Sequence, residues 1–294
     1  MRVSPNQSAA MLSAIAQAQE QESRASLEIS SGRRVSVPSD DPAAMALGIE
    51  IGSQLRADDA YLQSLGSVRA LLSTADSALN SVVTDLQRAV TLGMQGASGS
   101  LSAEQRRAIA QEVRGIRDSV LGLANLSFRG TFVFAGTATA TEPFVESSGV
   151  VLYQGNEGAN EVSLGSTGSI QINLPGSRIF AAAGAHVFAA LDGLAAALEV
   201  NDPDAISTAT NSTRAALDHV TAERVFYGNG LRQLNAREQS LEGEKLQLSE
   251  QQSDLVGVDL ADAVTRLLTA RQAHDATLQV LAQTSGTSLL DYLR

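Results

Sequence analysis

The two ends of the chain carry similar stripes of small and aliphatic residues, spaced alternately three and four residues apart as in a coiled coil. Both stripes are interrupted by charged or polar residues, and alanine or serine fills several of their positions. Neither helix can therefore bury enough apolar surface to be stable alone, and we expect the two ends to pack against each other or against neighbouring subunits. The N-terminal stripe is Ser8, Met11, Ile15, Ala18, Glu22, Ala25 and Ile29, and the C-terminal stripe is Leu260, Val264, Leu267, Arg271, His274, Leu278 and Leu281.

The composition favours long helices and excludes several classes of function. The 294 residues are 44% hydrophobic but only 4% aromatic, which favours elongated helical packing over a dense enzyme core. The net charge of −11, with Lys245 as the only lysine, argues against a nucleic-acid partner. The lack of cysteine excludes disulfides and thiolate sites, and no apolar run is long enough to predict membrane insertion.

The first residues have a weak signal-peptide pattern. Arg2 precedes a partly apolar stretch, and Ala14 and Ala16 stand where a cleavage site would lie. The heptad pattern continues through that site, however, and Asn6 and Gln7 weaken the apolar region. We expect the chain to keep its N-terminus.

Local signals place helices on either side of a short β segment. Gly32 is suited to end the first helix, and Asp41 and Pro42 to cap and begin the second, which leaves an extended elbow between them. Ser102 and Gln105 form a capping box for a third helix, antiparallel to the second. The long seam predicted for the second helix is Leu62, Leu65, Arg69, Leu72, Asp76, Leu79, Val83, Leu86 and Val90.

Between about residues 129 and 181 the pattern changes to short alternating runs, with strands predicted at 131–134, 150–153 and 169–174. Asp202 and Pro203 then begin another long helix, which Gly228-Asn229-Gly230 could kink. The predicted fold is mainly α with an inserted small β domain: long antiparallel helices form a rod-like bundle, and both helical termini pack together. The predicted regions are a terminal assembly region (1–41 and 256–294), a long-helix rod (42–128 and 182–255) and the β domain (129–181).

The sequence has three histidines that could bind a metal or transfer a proton: His186, His219 and His274. No two of them stand four residues apart on one helix, so polar positions on helix faces are favoured over metal ligands. The glycine motifs of phosphate-binding loops and of serine hydrolases do not occur in the sequence. We predict no catalytic, cofactor-binding or metal-binding residues, and therefore no enzyme.

The elbow contains charged pairs that could also suggest chemistry. Asp40 and Asp41 directly precede Pro42, where capping carboxylates belong, and this favours capping over a general acid and base. Arg33 and Arg34 could bind an anion, but two basic residues in an acidic chain favour solvated or intersubunit ion pairs. The predicted structural elbow motif is Gly32, Arg33, Asp40, Asp41 and Pro42.

Both ends of the chain resemble those of the flagellin superfamily. Residues 28–44 contain a Ser-Gly-Arg-Arg stretch followed closely by Asp-Asp-Pro-Ala, which resembles the N-terminal signature of flagellins and their relatives. Residues 259–267 and 288–293 are similar to the flagellin-type C-terminal helix. The runs at 130–136 and 175–180 resemble the β insert of the members that join the hook to the filament, although Asn156 stands where those members favour aspartate.

The resemblance implies a secreted structural subunit of the bacterial flagellum, exported without a cleaved signal peptide. It implies that the terminal helices form an inner tube layer, that the long helices surround it, and that the β insert faces outward. The implied partners are other copies of the chain, a second hook-associated protein, flagellin on the filament side, and an export chaperone at the C-terminal helix. The predicted assembly residues are Met11, Ile15, Ile29, Leu260, Val264, Leu267, Leu278, Leu281, Leu289 and Leu290.

Three functional hypotheses remain open at this point, and an enzyme is a remote fourth. The first is an adapter between the hook and the filament, and the alternative is a minor flagellin that forms filament itself. The third is a cytoplasmic coiled-coil scaffold. Marginal end helices suit the first two, because such helices can order on assembly and offset the cost by intersubunit burial.

Overall fold

The computed structural model describes residues 5–163 and 168–290, most of which are helical. None of the helices in these two ranges is both long and apolar enough to cross a membrane. The helices are α1 Pro5–Ser31, α2 Pro42–Gly96, α3 Ala103–Ala124, α4 Gly176–Phe180, α5 Val187–Val200, α6 Pro203–Val256 and α7 Leu260–Leu290. The strands are β1 Ser127–Phe128, β2 Thr131–Phe132, β3 Phe144–Ser147, β4 Val150–Tyr153, β5 Glu161–Ser163 and β6 Ser169–Gln171.

Contacts divide the chain into two units. The terminal unit comprises Met1–Asp59 and Glu242–Arg294, and the central unit is Ala60–Leu241. The fold is mainly α with a small β region, as predicted, and both described ends of the chain are helical. The finer division into terminal, rod and β regions stays a prediction.

The core of the central unit contains rows of residues at seven-residue spacing on α2 and α6. Arg69 and Asp76 were predicted in the α2 seam, but they lie beside it and pair with α6: Arg69 contacts Glu238 at 2.9 Å, and Asp76 contacts Arg224 at 2.7 Å. The sequence assignment was wrong at these steps because small residues fill the second row of the real seam. The buried rows are Leu65, Leu72, Leu79 and Leu86 with Val68, Ala75, Val82 and Ala89 on α2, and Val220, Tyr227, Leu234 and Leu241 on α6.

Helix α3 begins with the predicted capping box. The Ser102 hydroxyl accepts a hydrogen bond from the Gln105 amide at 3.2 Å, and the Gln105 side chain accepts one from the Ser102 amide at 2.8 Å. Glu112 of α3 pairs with Arg88 of α2 at 2.7 Å, and Ser119, further along α3, donates a hydrogen bond to Asp85, earlier on α2, at 2.9 Å. The two helices therefore run in opposite directions. The predicted antiparallel arrangement is thereby confirmed.

The β region consists of three separate antiparallel hairpins in the described residues rather than one sheet. The strand predicted at 150–153 is confirmed, but those predicted at 131–134 and 169–174 end at Phe132 and Gln171. The shortening has a packing reason: residues beyond these points turn into the core, where Phe134 and Leu174 are buried. The β3–β4 turn was missed in the sequence; Ser148 and Gly149 both have positive φ there, as a two-residue hairpin turn requires.

The hairpins are anchored to the helices by aromatic and charged contacts. Phe134 and Tyr227 of α6 meet edge to face, with centroids 6.4 Å apart, and the Tyr227 hydroxyl accepts a hydrogen bond from the Leu174 amide at 3.2 Å. Arg117 of α3 is nearly buried and pairs with Glu146 of β3 at 2.8 Å and with Asp192 of α5 at 3.1 Å. The β region therefore shares one core with α3, α5 and α6 of the central unit.

Asn156, where an aspartate was expected from the resemblance, holds a tight loop. Its Oδ1 accepts hydrogen bonds from the Thr137 amide at 2.7 Å and the Gly158 amide at 3.1 Å. Its Nδ2 donates to the Thr137 hydroxyl at 2.8 Å. An asparagine thus supplies both the acceptor that a carboxylate would offer and an additional donor.

Helix α6 is helical throughout Pro203–Val256, including the glycines that were predicted as a possible kink. A Cβ atom on Gly230 would lie 3.0 Å from Cδ1 of Leu72 on α2. This glycine therefore serves close approach of the two long helices.

Candidate assembly interface

The elbow between α1 and α2 is held by backbone hydrogen bonds to the residues that follow α6. Gly32 has a φ of +68° and ends α1, as predicted. Arg33 forms an antiparallel bridge with Gly257, and the Arg34 amide donates to the Val256 carbonyl at 2.8 Å. The segment that follows α1 and the segment that precedes α7 are thus bonded to each other.

Of the two aspartates predicted to cap α2, Asp41 does so, whereas Asp40 accepts hydrogen bonds from amides earlier in the elbow, because its side chain turns back toward residues 36 and 37. Hydrogen bonds from the Val37 and Ser36 amides, both 3.1 Å, hold the pKa of the Asp40 carboxyl below its usual range. The Ala44 amide, 3.0 Å from Asp41, likewise lowers the pKa of the Asp41 carboxyl. Both groups are therefore ionised at neutral pH and act as structural acceptors.

One buried apolar side chain packs the elbow against α2 and α6. Val35 is only 2% exposed and packs with Ala44 of α2 and Val256 of α6. The Arg34 guanidinium donates to the Leu255 carbonyl at 3.0 Å. The elbow is consequently a folded structure rather than a loose linker.

Helices α1 and α7 pack against each other through alanine. Among the side chains that the structure describes on these helices, the buried apolar residues are Ala18 and Ala25 on α1, and Ala263 and Ala270 on α7. Alanine allows close helix approach but removes little apolar area from water, so this contact stabilises the pair only weakly. The predicted contact between the termini is present, and its buried apolar side chains are small.

Ion pairs connect the two helices at defined positions. Arg266 contacts Glu28 at 2.9 Å, and Arg271 contacts Glu22 at 3.0 Å. His274 places its Nδ1 3.4 Å from the second Glu22 oxygen. These contacts pair early residues of α7 with late residues of α1, so the helices are antiparallel.

Several large aliphatic residues of the terminal helices are exposed and take no part in this contact. Leu27 of α1 is 64% exposed and Leu268 of α7 is 55% exposed. An apolar surface of this kind marks a site of association when its residues are contiguous along a helix. Where the side chains of the two helices are described, the exposed large aliphatic residues are Leu12, Leu27, Leu260, Val264, Leu268, Leu278 and Val280.

The predicted assembly residues divide into three groups. Ile15, Ile29 and Leu267 are half-buried. Leu260, Val264 and Leu278 are exposed within the chain and are available to another molecule. The side chains of the remaining four lie outside the described residues: Met11, Leu281, Leu289 and Leu290.

The sequence pattern missed part of the contact. Ala263 and Ala270 are buried on α7 but did not stand out, because alanine is common on every face of a helix. Leu27 and Leu268 were also missed, because they stand off the predicted stripes. A search for exposed leucine outside each heptad stripe would have found them.

The histidines take structural positions. His186 caps α5 by accepting a hydrogen bond from the Ala189 amide at 3.2 Å. His219 lies 2.8 Å from the Arg178 carbonyl, and His274 contacts Glu22. Among residues 5–163 and 168–290, no group of three or more metal-ligating side chains could hold an ion.

Comparisons with known proteins agree with this arrangement of helical ends. Residues 3–139 match the bacterial flagellin N-terminal helical region, and residues 210–293 match the bacterial flagellin C-terminal helical region. Flagellar hook-associated protein 3 of Escherichia coli (strain K12) is 28% identical over 288 residues, which cover 89% of this chain and 90% of that protein.

Solved structures show the same fold. A putative flagellar hook-associated protein from Vibrio parahaemolyticus aligns with a TM-score of 0.69 at 24% identity, covering 74% of this chain and all of that one. The flagellar junction protein FlgL from Legionella pneumophila aligns with a TM-score of 0.62 at 14% identity, covering 72% of this chain and all of that one. The chain belongs to the flagellin superfamily and is similar along most of its length to flagellar hook-associated protein 3.

Proposed function

We propose that the chain is a structural subunit of the bacterial flagellum at the junction between hook and filament. The observation that carries this proposal is the arrangement of α1 and α7, whose buried apolar residues are alanines while several leucines and valines stay exposed. A helix pair that leaves its largest apolar residues in water gains stability when another molecule covers them. The match to hook-associated protein 3 along 89% of the chain selects the junction.

The exposed aliphatic residues of α1 and α7 would pack against further copies of the chain. The assembly must use heterologous contacts, in which each subunit presents one surface to the next, because a closed two-fold contact cannot build a tube. We further propose a second hook-associated protein on the hook side and flagellin on the filament side. An export chaperone would cover the C-terminal helix before assembly.

We infer a location outside the cell, reached by export without a cleaved signal peptide. The contact between α1 and α7 within one chain is weak, which supports this inference, because a chain that passes through a narrow channel must unfold easily at its ends. The absence of cysteine suits a protein that moves from a reducing to an oxidising environment. No enzymatic activity is proposed.

Complementation tests the junction role. The chain is expressed in cells that lack their own hook-associated protein 3, and filament attachment is counted by electron microscopy. We expect attached filaments to return. The proposal fails if the chain reaches the culture medium and filaments still do not attach.

A minor flagellin is the second candidate, because the matching family regions are those of bacterial flagellin itself. The two candidates differ in what the pure protein forms. A flagellin should polymerise into long filaments when seeded, whereas an adapter should give short polymers or none. Detection of the chain only in the cytosol would instead favour a scaffold.

A further inference from the structure

Met94, near the end of α2, is a methionine at the surface of the central unit. The residue is 52% exposed, and its sulfur accepts a weak hydrogen bond from Nη2 of Arg214 on α6, 3.7 Å away. A thioether is a poor acceptor, whereas a guanidinium carries five N–H donors. The sulfur therefore occupies a charged donor that would bind an oxygen atom at the same place more strongly.

The close packing of α2 on α6 beside this contact is made by the preceding residue. A Cβ atom on Gly93 would overlap the side chain of Thr210, which is only 5% exposed. The Thr210 hydroxyl donates to the Ile206 carbonyl at 2.7 Å, within α6. The two helices thus meet through Gly93, and an atom added to the exposed Met94 side chain would lie outside this buried contact.

An exposed methionine sulfur reacts with hydrogen peroxide to give the sulfoxide. A sulfur lone pair forms a bond to one peroxide oxygen, the O–O bond breaks, and the proton of the transferred oxygen passes to the departing hydroxide, which leaves as water. The sulfur loses two electrons and the peroxide gains them. The product is usually disruptive, because it turns an apolar side chain into a polar one.

At Met94 the product has a partner already in place, since a guanidinium forms short, charge-assisted hydrogen bonds to oxygen. We propose that Met94 is a site of oxidation by peroxides and that Arg214 holds the resulting sulfoxide, so that the central unit stays folded after the modification. That the chain meets such oxidants outside the cell rests on the proposed function. The reaction itself is a property of the chain.

The rate of oxidation tests the first half of the proposal. The full chain is treated with hydrogen peroxide and digested with trypsin, and sulfoxide is measured by mass spectrometry in the peptide 89–106, whose one methionine is Met94. The matched control is Leu92→Met with Met94→Leu, which moves the methionine to a position on the same helix that is 2% exposed. We expect the unaltered peptide to oxidise about tenfold faster or more. Equal rates would overturn the proposal.

Thermal unfolding of the oxidised chain tests the role of Arg214. Met11→Leu with Met45→Leu removes the other internal methionines, and Tm is measured by circular dichroism before and after oxidation. We expect oxidation to leave Tm unchanged when Arg214 is present, and to lower it by about 2–4 °C in Arg214→Ala. Arg214→Lys keeps a charged donor and should recover at least half of that loss. The matched control is Arg232→Ala, an exposed arginine further along α6, which should behave like the unaltered chain.

The role of Arg214 is overturned if oxidation changes Tm equally in the chains with and without this arginine, whether or not that change is zero. Neither measurement involves assembly, so a negative result leaves the proposed role at the junction standing. A failure of complementation would, in the same way, leave the oxidation site standing.

Discussion

At the scale of single residues, Val35 is the buried apolar side chain that stabilises the elbow. Its side chain is 2% exposed between α2 and α6, whereas Val37, two residues along, is 49% exposed. Val35→Ala removes two buried methyl groups and should lower the free energy of unfolding of the elbow by about 1–3 kcal/mol. Hydrogen exchange of the Arg34 and Val258 amides measures this loss, and Val37→Ala is the matched control, expected to change nothing.

The elbow carboxylates should make its stability depend on acid pH. The folded pKa values of Asp40 and Asp41 lie below the usual value of 3.8, so their contribution is complete above that pH and is lost as the pH falls through the lowered folded values. We expect the Ser36, Val37 and Ala44 amides to exchange faster below that point. Asp40→Asn with Asp41→Asn should flatten the dependence, and an unchanged pH profile in this variant would contradict the assignment.

At the scale of elements, the seven-residue rows of α2 and α6 hold the central unit together. Leu79 is fully buried in the α2 row, so Leu79→Ala should lower the free energy of unfolding by about 2–5 kcal/mol through lost burial and a residual cavity. Leu47→Ala, on the same helix but half exposed, is the control and should cost much less. Chemical denaturation followed by circular dichroism gives both values, and equal losses would contradict the assigned core.

The helical elements were largely predictable because their signals are local. Gly32 and Asp41 mark the two sides of the elbow, and Ser102 marks the start of α3, since each supplies a cap that depends only on nearby residues. It was harder to predict which residues of each long helix face the core. Arg69 fitted the spacing of a core position, and only the packing of α6 shows that Ala75 and Val68 occupy the second row.

At the scale of the whole molecule, the need of the two ends for a partner could be predicted from the sequence, whereas the geometry of their contact could not. Their small, polar stripes predicted weak helices that need a partner, and the structure shows the pair joined through alanine and ion pairs. Which face would remain exposed could not be predicted, because that choice depends on both helices at once. Leu27 and Leu268 are the residues where this limit shows.

The central claim is that the exposed aliphatic residues of α7 serve assembly and not folding. The most direct measurement compares filament attachment and monomer unfolding for the triple variant Val264→Ser, Leu268→Ser and Leu278→Ser. The matched control is Val145→Ser with Leu152→Ser on the exposed face of the β3–β4 hairpin.

We expect the triple variant to unfold at the same denaturant concentration as the unaltered chain and to reach the culture medium, but to restore no attached filaments in cells that lack hook-associated protein 3. The control should restore them. Normal attachment with the triple variant would contradict the account, and so would a triple variant whose monomer is unfolded, because the residues would then belong to the core of the chain.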